Sequence, residues 1–92
     1  MPRSKLQLHL NILRVLGQGE QMQPTEIMYQ VNICHAFLKK YLDLLIKQNL
    51  VERKVINGRK AKYSITEKGL DLLRYYGELE KALPMVEAYN AH

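Results

Sequence analysis

The sequence predicts an α+β fold in which three helices and a β-hairpin are followed by a long C-terminal helix. Two apolar patterns of helical spacing, residues 25–31 and 35–48, are separated only by residues 32–34, so they indicate a helix-turn-helix. Asn57 and Gly58 then stand between two strand-like runs, the pattern of a β-hairpin with a type I′ turn. Because this hairpin directly follows the helix pair, the predicted architecture is a winged helix-turn-helix.

Length and composition indicate one small domain with a marginal core. The chain has 92 residues, which we divide into a winged-helix domain over 1–65 and a C-terminal helix over 66–92. A chain of this size buries only about 60–65% of its unfolded surface, so we expect either oligomerisation or a very regular core. Cys34 is the only cysteine, as expected in a reducing cytoplasm. No apolar run is long enough to span a membrane or to act as a signal peptide, so we expect a cytoplasmic protein.

Caps and apolar spacing place the first two helices. Ser4 is expected to cap a helix that runs to about Gln18 and is ended by the glycines at 17 and 19. Its apolar stripe contains Leu6, Leu10, Leu13 and Leu16. Thr25 is expected to be the N-cap of the second helix, and Tyr29 should point to solvent.

The third helix is predicted to have one buried and one exposed face. The buried face should contain Leu38, Tyr41, Leu42 and Leu45. The exposed face should contain His35, Ala36, Lys39, Lys40 and Asp43. Asn49 follows the helix, at a position where a left-handed backbone conformation is expected and asparagine is tolerated.

A two-residue turn at Asn57 and Gly58 fixes the expected pairing of the hairpin. Ile56 would face the residue at 59, and Arg53 would lie directly opposite Lys62. One face would cover the core with Glu52, Lys54, Ile56, Arg59, Ala61 and Tyr63. The other face would expose Arg53, Val55, Lys60 and Lys62. Like charges across a strand pair weaken a sheet, whereas a phosphate backbone would be held by them.

The last helix is expected to begin after a cap at Thr66 and to carry two apolar faces. One face is a seam with spacings of 4, 3, 4 and 3 residues, formed by Leu72, Tyr76, Leu79, Leu83 and Val86. Leu70 and Leu73 lie off this seam and are expected to pack on the domain. A seam of this kind indicates pairing with a second helix, and Pro84 is expected to kink or end the helix.

The sequence contains two distinctive blocks, TEIMY at 25–29 and YSITEKG at 63–69. Together they resemble an archaeal winged-helix family whose members include the small Sulfolobus chromatin-type proteins called "ten-a", and the resemblance covers about residues 5–83. It implies a homodimer joined by an antiparallel coiled coil of the C-terminal helices. It also implies that the wings and third helices bind duplex DNA. The sequence departs from the family at Cys34, where serine is common, and at Asn49, where glycine is usual.

The candidate DNA contacts lie on the two helices of the helix-turn-helix and on the wing. They are Tyr29, His35, Ala36, Lys39, Lys40, Arg53, Arg59, Lys60 and Lys62. Arginine and lysine neutralise phosphates, while the start of the third helix is the part that reaches base edges. The chain is therefore expected to be a transcriptional regulator or a nucleoid-associated, architectural protein.

Two other functions are compatible with the sequence. A winged helix can also be a protein-docking module that does not bind DNA, and the surplus apolar face of the last helix would then hold the partner. A ligand-sensing regulator would need a cavity between the domain and that helix. The sequence contains no catalytic arrangement, no phosphate-binding loop and no histidine and cysteine spacing typical of a metal site, so no enzyme activity, cofactor or metal is expected.

Overall fold

The computed structural model describes residues 4–19, 21–58 and 60–82. Its elements are α1 (Lys5–Leu16), α2 (Pro24–Val31), α3 (His35–Lys47), β1 (Val51–Asn57), β2 (Lys60–Ile65) and α4 (Glu67–Ala82). The two strands form one antiparallel hairpin. The predicted α+β architecture is confirmed: a helix-turn-helix, a two-stranded wing and a long last helix follow one another in that order.

One hydrophobic core joins the three N-terminal helices to the base of the hairpin. The buried side chains include Ile12, Leu13, Leu16, Ile27, Val31, Leu38, Tyr41, Leu42, Leu45 and Val51. Every third-helix residue expected to face inward is among them, and the side chain of Tyr29 is 88% exposed as expected. The 3.6-residue period of the apolar pattern therefore gave the correct faces.

Three helix ends have the expected local structure. The Ser4 hydroxyl accepts a hydrogen bond of 3.0 Å from the Gln7 N–H and caps α1. The Thr66 hydroxyl accepts one of 3.1 Å from the Gly69 N–H in the first turn of α4. Asn49, after α3, has a φ of 62°, which is the left-handed conformation predicted for it.

The predicted cap of α2 is wrong. The helix begins at Pro24, so its N-cap is Gln23 and Thr25 lies inside the first turn. Proline has a fixed φ suited to the first helical position and has no N–H that needs a partner there. The backbone N–H of Gln23 donates to the Glu26 carboxylate at 3.3 Å, which closes the helix end.

The predicted hairpin pairing is also wrong, by one residue. The observed pairs are Val51 with Ile65, Glu52 with Ser64, Arg53 with Tyr63, Lys54 with Lys62, Val55 with Ala61, and Asn57 with Lys60. The pairing is set at the base, where Val51 is buried and Met22 and Tyr63 exchange two backbone hydrogen bonds of 2.8 and 2.9 Å. A bulge between Val55 and Asn57 takes up the difference near the turn.

The helix α4 packs against the domain along one side. Leu72, expected in the seam, packs against the core together with Leu73. Arg14 on α1 and Glu80 form an ion pair. Tyr76 and Leu79 are half-buried, while Leu83, Pro84 and Val86 lie outside the described residues. None of the described helices combines the length and apolar character needed to cross a bilayer.

Candidate functional site

A cleft of about 640 Å³ opens between α3 and the inner face of the wing. Its apolar floor is formed by Leu38, Leu42 and Tyr63. Its polar lining includes Gln23, His35, Lys39, Asp43, Arg53 and Lys60. Two separate elements therefore contribute cations to one concave surface.

The helical repeat explains which residues α3 contributes to the cleft. His35, Lys39 and Asp43 follow each other at intervals of four residues, so they form one row along the helix. The first turn of α3 follows Cys34, whose side chain makes no capping hydrogen bond. Ala36 and Lys40 are exposed on the neighbouring row and do not line the cleft.

The observed strand pairing divides the cations of the wing between its two faces. Arg53 lies opposite Tyr63, which packs against the core, so Arg53 is on the face turned towards α3. Lys54 and Lys62 lie opposite each other on the other face, because neighbouring residues of a strand point in opposite directions. The like-charged pair across the strands is therefore Lys54 with Lys62, and not Arg53 with Lys62 as predicted.

Four of the nine predicted contact residues meet in the cleft: His35, Lys39, Arg53 and Lys60. Four others lie elsewhere on the described surface: Tyr29 on α2, Ala36 and Lys40 beside the cleft, and Lys62 on the far face of the wing. The ninth, Arg59, lies outside the described residues.

Three polar residues of this region were not among the predicted contacts. Asp43 could have been predicted from the sequence as a cleft residue, since it continues the spacing of four residues between His35 and Lys39. Lys54 was assigned to the core-facing side because the pairing was shifted by one residue. Gln23 reaches the cleft from the start of α2, and no local signal in the sequence indicates this.

The cations of the site have no anionic partners within the part of the chain that the structure describes. Ion pairs there join Arg14 to Glu80 and Asp71 to Arg74, both away from the cleft. Lys39, Arg53 and Lys60 are all exposed. Asp43 is the acidic residue among those that line the cleft. Such a surface favours binding of an extended anion over internal neutralisation.

A smaller, mostly apolar cavity of about 170 Å³ lies among α1, α3 and α4, away from the cleft. It is located where a ligand-sensing regulator would need one. His9 lines it, and the ring of His9 meets that of Tyr41 edge to face, with 4.8 Å between the centroids. Burial, and then the charge of Lys5, lower the pKa of His9 below its ordinary value of 6.5.

The described residues contain no group of three or more histidine, cysteine, aspartate or glutamate side chains arranged to hold a metal ion. His9 lies in the small cavity, while His35 lies in the cleft. Cys34 is exposed as a free thiol.

Comparison with known proteins gives the same architecture. The family described as "Winged helix-turn-helix" matches residues 2–83. MJ0287 of Methanocaldococcus jannaschii is 32% identical over 77 residues, which are 84% of this chain and 73% of that protein. RosR of H. salinarum superposes with a TM-score of 0.71 and 26% identity, covering 91% of this chain and 88% of that chain.

A more distant structure shares the fold only. It is a mutant of MarR from E. coli complexed with operator DNA, with a TM-score of 0.71 and 19% identity. The match covers 78% of this chain and 53% of that chain, so this chain spans about half the length of the E. coli protein.

Proposed function

The chain belongs to the winged helix-turn-helix family, and on that basis we propose that it binds duplex DNA through α3 and the wing. The observation that carries this proposal is the cleft in which Lys39, Arg53 and Lys60 are exposed without anionic partners among the described residues. Cations on two elements either side of a concave surface match the curved phosphate backbone of a duplex. No part of the proposed activity requires a cofactor or a catalytic group.

The helix α3 would lie in the major groove with its N-terminal half next to the bases. In helix-turn-helix proteins the second helix of the pair has this position. His35, Ala36, Lys39 and Lys40 would then be nearest the base edges, and the exposed Tyr29 would donate its hydroxyl to a phosphate. None of those four α3 residues is asparagine, glutamine or arginine, so only a modest sequence preference is expected.

The wing would hold the backbone beside that groove. Arg53 and Lys60 face α3, while Lys62 extends from the other side of the hairpin, and Arg59 is placed by sequence next to the turn. Contacts of these residues to phosphates would supply affinity through release of counterions, with little dependence on base sequence. Asp43 would repel phosphates from one end of the cleft and so limit where the backbone runs.

A homodimer is proposed to present two such surfaces. On α4, the side chains of Tyr76 and Leu79 remain partly exposed after the helix packs on the domain. Leu72 contributes the part of its surface that does not contact the core. Leu83 and Val86 would extend this seam along an antiparallel pair of helices. Symmetric dimers of helix-turn-helix proteins contact two half-sites separated by about one helical turn of DNA, or by multiples of it.

Gel-shift titration with random and genomic DNA at several salt concentrations tests the proposal. Neutralisation of six to eight phosphates per dimer gives a slope of about −5 to −7 for log K against log[salt]. A slope near zero would contradict phosphate-driven binding. Equal affinity for all sequences would favour a nucleoid-associated, architectural role, whereas preference for particular genomic fragments would favour a transcriptional regulator.

Sedimentation equilibrium tests the dimer separately. The proposal predicts a mass of about 22 kDa, twice the chain mass of 10.8 kDa. A monomer that does not bind DNA at low salt would contradict the proposal and would favour a protein-docking module instead.

A further inference from the structure

The tip of the wing is aliphatic although its sides are cationic. The side chains of Val55 and Ile56 are 52% and 48% exposed. Neither belongs to the core or packs against it among the described residues. Every residue from Glu52 to Gly58 is exposed, so this part of the hairpin is open to solvent along β1 and at the turn.

The backbone at the tip also departs from regular pairing. Val55 is paired with Ala61 and Asn57 with Lys60, which leaves Ile56 in a bulge without a partner on β2. A bulge of this kind redirects a side chain and is common at functional sites of sheets. Strand propensity alone does not require valine and isoleucine here, because threonine satisfies it equally and is compatible with water.

The charges on the sides of the wing indicate the kind of surface that the tip would meet. Arg53 lies on one face of the hairpin, and Lys54 and Lys62 lie on the other. A DNA groove has a wall of phosphates on each side and a floor of sugars and base edges. The cations on the two faces of the hairpin would lie beside the two phosphate walls. The aliphatic side chains at its end would lie against the floor of the groove.

We propose that Val55 and Ile56 form an aliphatic wedge that enters the minor groove and bends the duplex. This inference rests on the proposed function, because it places the wing in the groove next to the one that α3 occupies. The minor groove is about 6 Å wide, which is too narrow for a β-hairpin unless it opens. Aliphatic side chains inserted at a base step open the groove and kink the duplex towards the major groove.

The wedge predicts a preference for flexible DNA over particular base identities. Pyrimidine–purine steps such as TA unstack easily, whereas A-tracts are stiff with a narrow minor groove. Wild-type protein is therefore expected to bind a duplex with a central TA step about tenfold more tightly than a matched A-tract duplex. The bend itself is expected to fall in the range of about 20–90° known for side-chain wedges.

The experiment measures the end-to-end distance of dye-labelled duplexes with and without saturating protein. The test variant is Val55→Thr with Ile56→Thr, which keeps β-branched residues and so preserves the hairpin. DNA bound by this variant should show little of the bend, and the preference for the TA duplex should fall to about twofold. The slope of log K against log[salt] should be unchanged. The matched control is Lys62→Gln, which should keep the bend and reduce the salt slope by about 0.9.

Each outcome decides the proposal. Bending by the wild type that disappears only in the threonine variant supports the wedge. Binding of wild-type protein without bending overturns the wedge and leaves the proposed DNA binding intact, and so does equal bending by the threonine variant. If the threonine variant does not fold, the wild-type bend and TA preference still decide, since the wedge requires both. Absence of wild-type binding at low salt overturns the wedge and the proposed function together.

Discussion

The two ends of the wing differ in what holds them. At the base, Val51 is 2% exposed, and Met22 and Tyr63 exchange backbone hydrogen bonds of 2.8 and 2.9 Å. The Thr66 N–H adds a bond of 3.0 Å to the Leu50 carbonyl oxygen. At the tip, all residues from Glu52 to Gly58 are exposed and the pairing is interrupted by a bulge.

This difference separates residues that the fold requires from residues that it does not. The base fixes the strand pairing, because a slip of one residue would turn Val51 out of the core. The tip carries four cationic or aliphatic residues in succession, Arg53 to Ile56, none of which belongs to the core of the described chain. We therefore expect substitutions at the base to change stability and substitutions at the tip to change binding.

The largest effect is expected from Gly69→Ala, which acts where α4 meets the base. A Cβ at this position would overlap the Leu50 carbonyl oxygen and would lie 2.6 Å from Ile65 Cγ1. Backbone atoms cannot move aside easily, so the free energy of unfolding should fall by about 3 kcal/mol, as measured by urea denaturation.

The matched control lies in the same helix. Gly77→Ala places its Cβ in open space and should stabilise α4 by about 0.5–1 kcal/mol. Equal effects of the two alanine substitutions would show that contact with the base does not limit stability.

A second, smaller effect is expected from a pair of substitutions at the two ends of β1. Val51→Ala removes two buried methyl groups and should lower the free energy of unfolding by about 2 kcal/mol. Val55→Ala removes the same atoms from the exposed tip and should change it by less than about 0.5 kcal/mol. Thermal and urea unfolding of both variants measures the difference, and a large loss in the Val55 variant would contradict the description of a free tip.

The sequence could predict the parts of the fold that neighbouring residues determine. Residues within one or two helical turns determine the caps at Ser4 and Thr66, the left-handed backbone of Asn49 and the two faces of α3. Such local rules act through spacing and backbone geometry that the sequence displays directly. The winged helix-turn-helix architecture followed correctly from them.

The strand pairing could not be predicted, because residues far apart in the chain determine it. Met22, more than 40 residues before its partner Tyr63, holds the base in place, and the bulge at Ile56 adjusts to that constraint. The turn alone suggested a pairing shifted by one residue, which exchanged the two faces of β1 and left those of β2 correct. Two of the four contacts predicted on α3 line the cleft, and so do two of the four predicted on the wing.

The smallest expected effect concerns His9, a half-buried residue of α1 that lines the small cavity away from the wing. Its pKa is lowered in the folded protein, so the unfolded chain binds more protons than the folded chain in the pH range between the folded pKa and the ordinary value of 6.5. The stabilising contribution of neutral His9 is thus complete above pH 6.5 and is lost as the pH falls.

Unfolding free energies of wild-type protein and His9→Gln between pH 5 and 8 measure this contribution. The wild type should lose more stability than the variant on acidification, while carboxylates affect both equally. Identical pH dependence in the two proteins would contradict an effect of burial on His9.

We expect the cleft between α3 and the wing to hold the DNA backbone, and the salt dependence of DNA binding by charge variants is the sharpest test of this contact. Arg53→Gln with Lys60→Gln removes two charges from the cleft, and Lys47→Gln with Lys81→Gln removes two exposed charges near the ends of α3 and α4. Both variants have the same net charge. The account predicts that the slope of log K against log[salt] becomes shallower by about 1.8 per chain in the cleft variant and stays near the wild-type value in the other. Equal changes in the two variants would contradict it.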